Sequence, residues 1–318
     1  MKIYTNLDDF EPIKNPVLTI GTYDGVHLGH QKIIDYLNAQ AKKINGESVV
    51  FTFHPHPRMV LHPHDHNLEL LQTIDERIKS LEQAGIDHLI VFPFSKAFSR
   101  LSAVEFIRDI LVNKIGIHTL VVGYDHQFGR NREGTKQHLE ELAPLYNFRV
   151  QEISAFIKDE IKISSTKIRN SLQSGIINIA TQYLGDYFQL SGEVVKGNQI
   201  GNTIGFPTAN IDIKEDYKLI PHNGVYAVKI YVNNQEFSGM LNIGHRPTIS
   251  TKGKKTIEAN IFDFFQDIYG QNITIKFVKM IRAEQSFLNL EELTKQLIQD
   301  ESKCRIILDN HSYSTAKK

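Results

Sequence analysis

The chain has 318 residues, enough for about two domains that each bury a core. Its 36 basic and 36 acidic side chains cancel, which excludes a broad sequence-independent grip on nucleic acid, since that needs a basic surface. A single cysteine, Cys304, excludes an internal disulfide and a thiolate zinc site. The opening Met1 to Phe10 is polar and carries Asp8 and Asp9, unlike a secretory signal. No apolar run approaches the ~20 residues of a membrane span. The expected setting is a reducing cytoplasm.

The first part alternates strands and helices. Val17 to Ile20 reads as a strand ending at Gly21, and Ile33, Ile34, Leu37 and Ala41 then follow at helical spacing. Ser48 to Phe53 is the next strand. Ile74, Ile78 and Leu81 mark a helix stopped by Gly85. Leu89 to Phe92 is a strand. Ser102 and Glu105 form a capping box before the helix that holds Phe106, Ile110 and Leu111. Leu120 to Val122 is a further strand. Strands separated by helices of this length predict a parallel sheet covered on both faces. Near Gly185 the pattern changes. Val225 to Val232 runs into Asn233-Asn234, a hairpin turn, and Ile273, Ile275 and Phe277 alternate with polar residues. This half predicts a small antiparallel barrel closed by a helix with Leu290, Leu293, Leu297, Ile298 and Ile306. The domains are therefore placed at 1–186 and 187–318.

Three features suggest chemistry without supporting it. His54, His56, His62, His64 and His66 resemble a metal cluster, but prolines break the segment and no helical His pair fixes a tetrahedron. They read as a histidine-rich loop beside a ligand pocket. Gly253-Lys-Lys-Thr resembles the end of a Walker loop without its first glycine, and reads as solvated. The GxGxxG fingerprint is absent, so nothing points to a nicotinamide enzyme.

The stretch Thr19-Ile-Gly-Thr-Tyr-Asp-Gly-Val-His-Leu-Gly-His30 lies where the first of those strands turns into its helix. Ligands of parallel sheets bind at such carboxyl ends. Gly21, Asp24 and Gly25 lie in the turn, and His27 and His30 share one face of the first helical turn. With the free helix amides they suit a triphosphate. The alternative is that both histidines only cap the helix. Gly123, Asp125 and Arg130 follow a later strand, and Ser164, Ser165, Thr166, Lys167 and Arg169 open another helix. Hydroxyls there can meet phosphate oxygens, and Lys167 or Arg169 can offset the charge of a leaving pyrophosphate.

In the second half, Gly192 to Asn210 is rich in glycine, with Gly197 and Gly201 able to approach phosphates. Thr208 and Asn210 stand on alternate residues and offer two hard oxygens, a donor set suited to Mg²⁺. Glu258 sits on a predicted strand. An attacking alcohol must lose a proton, and a carboxylate is its natural base.

Together, GTYDGVHLGH, FTFHPHP, VGYDHQFGRNREG and SSTKIR resemble the FAD synthetase branch of the nucleotidyltransferases. GNTIGFPTAN, PHNGVYAV, GMLNIGHRPT, IEANIFDF and RAEQSFLNLEEL resemble riboflavin kinase along nearly the whole second half. The resemblance implies a Rossmann-like nucleotidyltransferase sheet followed by a kinase barrel. It implies riboflavin, FMN, FAD and ATP as substrates and products, with Mg²⁺. His27 and His30 would meet the ATP phosphates, and Ser164 and Arg169 the pyrophosphate. Phe53, Pro55 and Pro57 would line the flavin. Thr208 and Asn210 would hold Mg²⁺, Glu258 would be the base, Asn242 would contact nucleotide, and Arg282 and Glu284 would lie at the flavin end. The expected partners are small molecules alone, without nucleic acid or membrane, in a monomer or weak homo-oligomer. Tyr23, His126-Gln127, Asn202 and Asn260 depart from the usual Phe, aromatic-Arg pair, Arg and His. Two other readings are a kinase whose first domain is redirected and a flavin-binding regulator.

Overall fold

The computed structural model describes residues 1–64, 68–123, 128–130, 133–153, 163–197, 201, 204–245 and 255–315. Asp125, His126, Gln127, Asn202 and His66, named above, lie outside these residues, as do Gly253 and Lys254. The chain divides into two compact units, Met1–Ser165 and Thr166–Lys318.

The first unit is a parallel sheet. Its strands are β1 (Lys2–Tyr4), β2 (Val17–Ile20), β3 (Ser48–Phe53), β4 (His88–Phe92), β5 (Thr119–Val122) and β6 (Arg149–Glu152), in the spatial order β1-β4-β3-β2-β5-β6. Successive residues face opposite sides. Leu18, Val49 and Phe51 join one apolar cluster with Phe106, Ile107, Leu111 and Leu139. Val17 and Val50 join the other with Ile34, Leu37 and Leu81. Both faces are thus covered, as near-continuous apolar strands require. Helix Ile74–Gln83 ends where Gly85 takes a φ of +75°, the left-handed conformation that a side chain resists. The capping box at Ser102 and Glu105 is present, but Phe106–Val112 continues as a π-helix. Strands β1 and β6 are too short and polar to be read from alternation; the sheet edge recruits them.

The second unit is a closed barrel. It comprises β7 (Gln189–Val195), β8 (Ala209–Asp212), β9 (Gly224–Val232), β10 (Gln235–His245), β11 (Lys255–Ile261) and β12 (Asn272–Arg282), in the order β10-β11-β8-β7-β12-β9 with antiparallel pairing. Asn233 and Asn234 join β9 to β10 with φ of 49° and 66°, the pair of positive values that a tight hairpin needs. Closure removes the exposed sheet edges. Helix Leu290–Thr315 covers one side. Among its described residues Asp300, Cys304 and Leu308 are buried, whereas Ile298 and Ile306 are exposed, so the expected apolar face was rotated. A cysteine carries part of the seam, and burial pushes its thiol up to about 12. Helices Ser165–Gln173 and Ile177–Leu184 pack with the barrel unit, where the His222 amide donates to the Leu172 carbonyl at 3.0 Å. The compact unit therefore begins about twenty residues before the expected boundary at 186.

Candidate active sites

Four neighbouring strands of the sheet deliver residues to one end. The loops after β2, β3, β4 and β5 begin at Gly21, His54, Pro93 and Gly123. The strand order turns at β2, the position where parallel sheets open a crevice.

In the loop after β2 the backbone is tightly constrained. A Cβ on Gly21 would come within 2.9 Å of the Tyr23 ring, and Gly25 takes a φ of +91°. Asp24 is buried, and its carboxylate accepts the Leu71 amide at 2.9 Å and the Gln72 amide at 3.2 Å. Asp24, expected to touch nucleotide, ties this loop to residues 71–72. The Gly25 amide donates to the Gln72 side chain at 3.2 Å. The Tyr23 hydroxyl, an addition relative to the usual Phe, donates to Thr19 Oγ1 at 3.0 Å. The Ser165 hydroxyl donates to the Asp24 carbonyl at 2.9 Å, which brings the serine segment, with Ser164 beside it, onto the loop. Thr166 and Arg169 fall in the second unit.

His27 does cap the helix: its Nδ1 accepts the His30 amide at 3.3 Å. That bond places the ring proton on Nε2. The His27 and His30 rings stack at 3.7 Å, and Nδ1 of His30 is buried without a hydrogen-bond partner. Capping and ligand binding are therefore compatible, because each ring keeps a nitrogen beyond the cap. Burial first, then His27 and the Arg77 guanidinium, hold His30 well below the ordinary histidine value. A neutral ring donates to phosphate without repelling its stacked neighbour.

This depression has a consequence for stability. The unfolded chain takes up a proton near pH 6.5 that folded His30 refuses. The folded state is therefore favoured fully above about pH 6.5 and loses that advantage as pH falls. His30→Gln is expected to flatten the acid-side decline of Tm between about pH 6.5 and 5. Equal declines in both proteins would contradict this account.

Beside the loop lies a cavity of about 720 Å³, lined by Gly21, Phe53, Pro57, Phe94, Phe98, Phe106 and Phe128, among others. Pro55 is exposed and off that lining. Phe53 meets Phe94 edge-on at 5.4 Å, and Phe92 lies 4.5 Å from Phe98. The sequence analysis missed Phe94, Phe98 and Phe106. Their signal was available, since Phe94 and Phe98 follow β4 as Phe53 ends β3. It also missed Arg77, buried on helix Ile74–Gln83 and donating to the Phe53 carbonyl at 3.2 Å. An arginine three residues after Ile74, on the apolar face with Ile78 and Leu81, was the clue.

The barrel site is assembled by strand register. Arg282 of β12 lies opposite Val225 of β9, which lies opposite Asn242 of β10. Asn242 lies opposite Glu258 of β11, which lies opposite Asn210 of β8. Opposed residues send side chains to the same face. One row across five strands therefore gathers Arg282, Asn242, Glu258 and Asn210 from stretches far apart in sequence. A cavity of about 310 Å³ is lined by Gly201, Thr208, Asn242, Glu258, Arg282 and Glu284, with Phe287 and Leu297. A second, of about 240 Å³, takes Thr208 on its lining with Val194 and Tyr269. Thr208 thus stands between two compartments, one beside the carboxylate.

Gly197 and Gly201 lie close to Asn210 and Thr208, respectively. A Cβ on Gly197 would come within 2.1 Å of the Asn210 amide, and one on Gly201 within 2.1 Å of the Phe206 carbonyl and 3.5 Å of Thr208 Oγ1. Two hard oxygens under bare backbone fit a magnesium ion that keeps water and phosphate ligands. Asn260 donates to the Pro207 carbonyl at 2.7 Å, so this departure from His steadies the backbone just before Thr208. Fully buried Asp300 pairs with Arg282 at 2.8 Å, and Glu284 accepts from Asn223 at 3.2 Å.

Fold and sites together define a two-part transferase. An α/β half carries a tight glycine-containing loop with two stacked histidines and an aromatic cavity, and a barrel half carries oxygen donors beside a carboxylate. Two family models match, FAD synthetase over residues 10–167 and riboflavin kinase over 184–308. A bifunctional riboflavin kinase/FMN adenylyltransferase from Buchnera aphidicola is 38% identical over 94% of this chain and 96% of its own. Its namesake in Bacillus subtilis is 37% identical over 89% and 90%, and the one in Escherichia coli K12 35% over 92% and 93%. A crystal structure of a Streptococcus pneumoniae protein, described as a macrolide-efflux protein, superposes with a TM-score of 0.85, 30% identity and 95% and 98% coverage. Among the described residues of this chain no helix is long and apolar enough to cross a membrane. The chain belongs to the bifunctional riboflavin kinase/FMN adenylyltransferase family, with the FAD synthetase half first and the kinase half second.

Proposed function

We propose that residues 187–318 phosphorylate riboflavin to FMN and that residues 1–186 adenylylate FMN to FAD, with the roles that follow. The observation that carries the kinase assignment is the row of Asn210, Glu258, Asn242 and Arg282 across the barrel. Glu258 takes the proton of the ribityl 5′-hydroxyl as its oxygen attacks the terminal phosphorus of ATP, the bond from that phosphorus to the bridging oxygen breaks, and ADP leaves. Thr208 and Asn210 hold Mg²⁺, which supplies charge neutralisation on the ATP phosphates. Gly197 and Gly201 let the backbone approach those phosphates, Asn242 contacts nucleotide, and Arg282, held by Asp300, orients the flavin with Glu284.

In the other half the nucleophile is a phosphate monoester, already anionic near neutral pH. It needs no base; positioning and charge neutralisation carry the reaction. The flavin ring occupies the phenylalanine-lined cavity, and its phosphate oxygen attacks the α-phosphorus of ATP, expelling pyrophosphate. His27 and His30 donate to the phosphates. Ser164, Ser165, Thr166 and Arg169 hold the pyrophosphate, and Gly123, Asp125 and Arg130 contact nucleotide.

A time course from riboflavin, ATP and Mg²⁺, with both flavin products separated by chromatography, tests the reading. FMN should appear first and FAD after it. FMN without FAD, including from added FMN, would leave only the kinase assignment standing.

A further inference from the structure

The two flavin cavities differ in charge. Arg58, Arg100 and Arg130 line the cavity of the sheet unit, and the described lining residues include no Asp or Glu. The barrel cavity is lined by Glu258 and Glu284 against one Arg282, which Asp300 already pairs. Phenylalanines would accept the ring of riboflavin and FMN alike. What separates the two molecules is a phosphate of charge about −1.5 to −2 at neutral pH.

We infer that Arg100, with Arg58 and Arg130, forms a cationic rim by which the sheet cavity selects phosphorylated flavin over riboflavin. The inference rests on the FMN-adenylylation reading and adds to it the residues that discriminate. Arg100 is exposed and, among the described residues, makes no ion pair with a carboxylate. Among the described residues Arg130 has one ion pair, with Glu133 at 3.8 Å, and both side chains are substantially exposed. Their proximity is built in. The Arg130 amide donates to the Leu101 carbonyl at 2.8 Å, and a Cβ on Gly129 would come within 2.9 Å of the Ala103 amide nitrogen. Segment 128–130 therefore lies on segment 101–103 and sets Arg100 and Arg130 along one edge. Arg58 lies in the short helix Pro57–Leu61 that follows β3, on the same lining as Phe53 and Pro57.

Guanidinium groups bind phosphate through two parallel hydrogen bonds, and water screens them less at an apolar cavity's mouth. Riboflavin offers that rim nothing, and bound there it would block the site, because it has no phosphate with which to attack. In the barrel cavity the acidic lining has the opposite preference: it accepts the neutral alcohol and disfavours its phosphorylated product.

The test is FAD formation from FMN by the full chain, with Arg100→Ala and the double variant Arg58→Ala/Arg100→Ala. KM for FMN is expected to rise about tenfold in the single variant and about a hundredfold in the double, with kcat at saturation within about threefold. Lumiflavin has the ring but no chain to phosphorylate; its inhibition constant against FMN should stay within about twofold. Salt should raise KM in the unaltered protein and less in the variants. FMN formation from riboflavin and Tm serve as controls for folding. An unchanged KM in the double variant overturns the inference, and so does parallel weakening of lumiflavin, which would make the arginines part of the ring's packing. Absence of FAD formation by the unaltered chain overturns the adenylylation reading itself, a result distinct from either.

Discussion

Glu258→Ala is expected to lower FMN formation by about 10²–10⁴-fold, while FAD formation from added FMN continues at its original rate. The magnitude follows from the nucleophile. A primary alcohol is a poor attacker until its proton leaves, and Glu258 is the carboxylate that register places opposite both Asn210 and Asn242. Removing it takes away the proposed proton acceptor and leaves Thr208 and Asn210 in place. The residue is only half-buried, so its loss opens no large cavity, and Tm should change little. Glu258→Gln is the sharper variant, because it keeps the shape and loses the basicity. It should be as slow as the alanine form, with KM for riboflavin nearly unchanged, since a base acts in the transition state and not in ground-state binding. Riboflavin turnover that survives either substitution would remove Glu258 from the role.

The fold was largely legible because its strands and helices are individually strong. β2, β3 and β5 are continuous apolar runs, and the hairpin at Asn233-Asn234 carries its own turn chemistry. The parts that escaped depend on tertiary partners. β1 and β6 exist because a sheet edge offers them hydrogen bonds. The terminal helix turns its Cys304 face inward because Met240 and Phe262 meet it there. The sites follow the same division. Glycines, histidines and the Thr208–Asn210 pair announce themselves by local spacing. Arg77 and Phe94 carry a weaker local signal, their places after Ile74 and after β4, and what they meet depends on which loops come together above the sheet. Asp24 marks the boundary: spacing places a carboxylate in the turn before the helix, but its bonds to two amides from residues 71–72 depend on a segment distant in sequence.

His30→Ala should abolish the second reaction and spare the first. From riboflavin, FMN should accumulate and FAD should fall by about 10²–10³-fold, the loss typical when one donor to a developing oxyanion is removed. His30 is the better target of the stacked pair, because His27 also caps its helix, a bond whose loss alone costs about 1 kcal/mol. The role assigned to His30 is hydrogen-bond donation by a neutral ring, since burial holds it uncharged in the unliganded protein. Two further results follow. His30→Asn, which retains an N–H donor, should recover part of the lost rate where alanine does not. The unaltered enzyme should show no loss of FAD formation attributable to His30 as pH rises through about 6.5, because His30 is already neutral in the free site and carries no added proton to lose. A rate that falls through that pH and disappears equally in the asparagine and alanine variants would mean that the ring acts as a cation, and the neutral-donor account would be wrong.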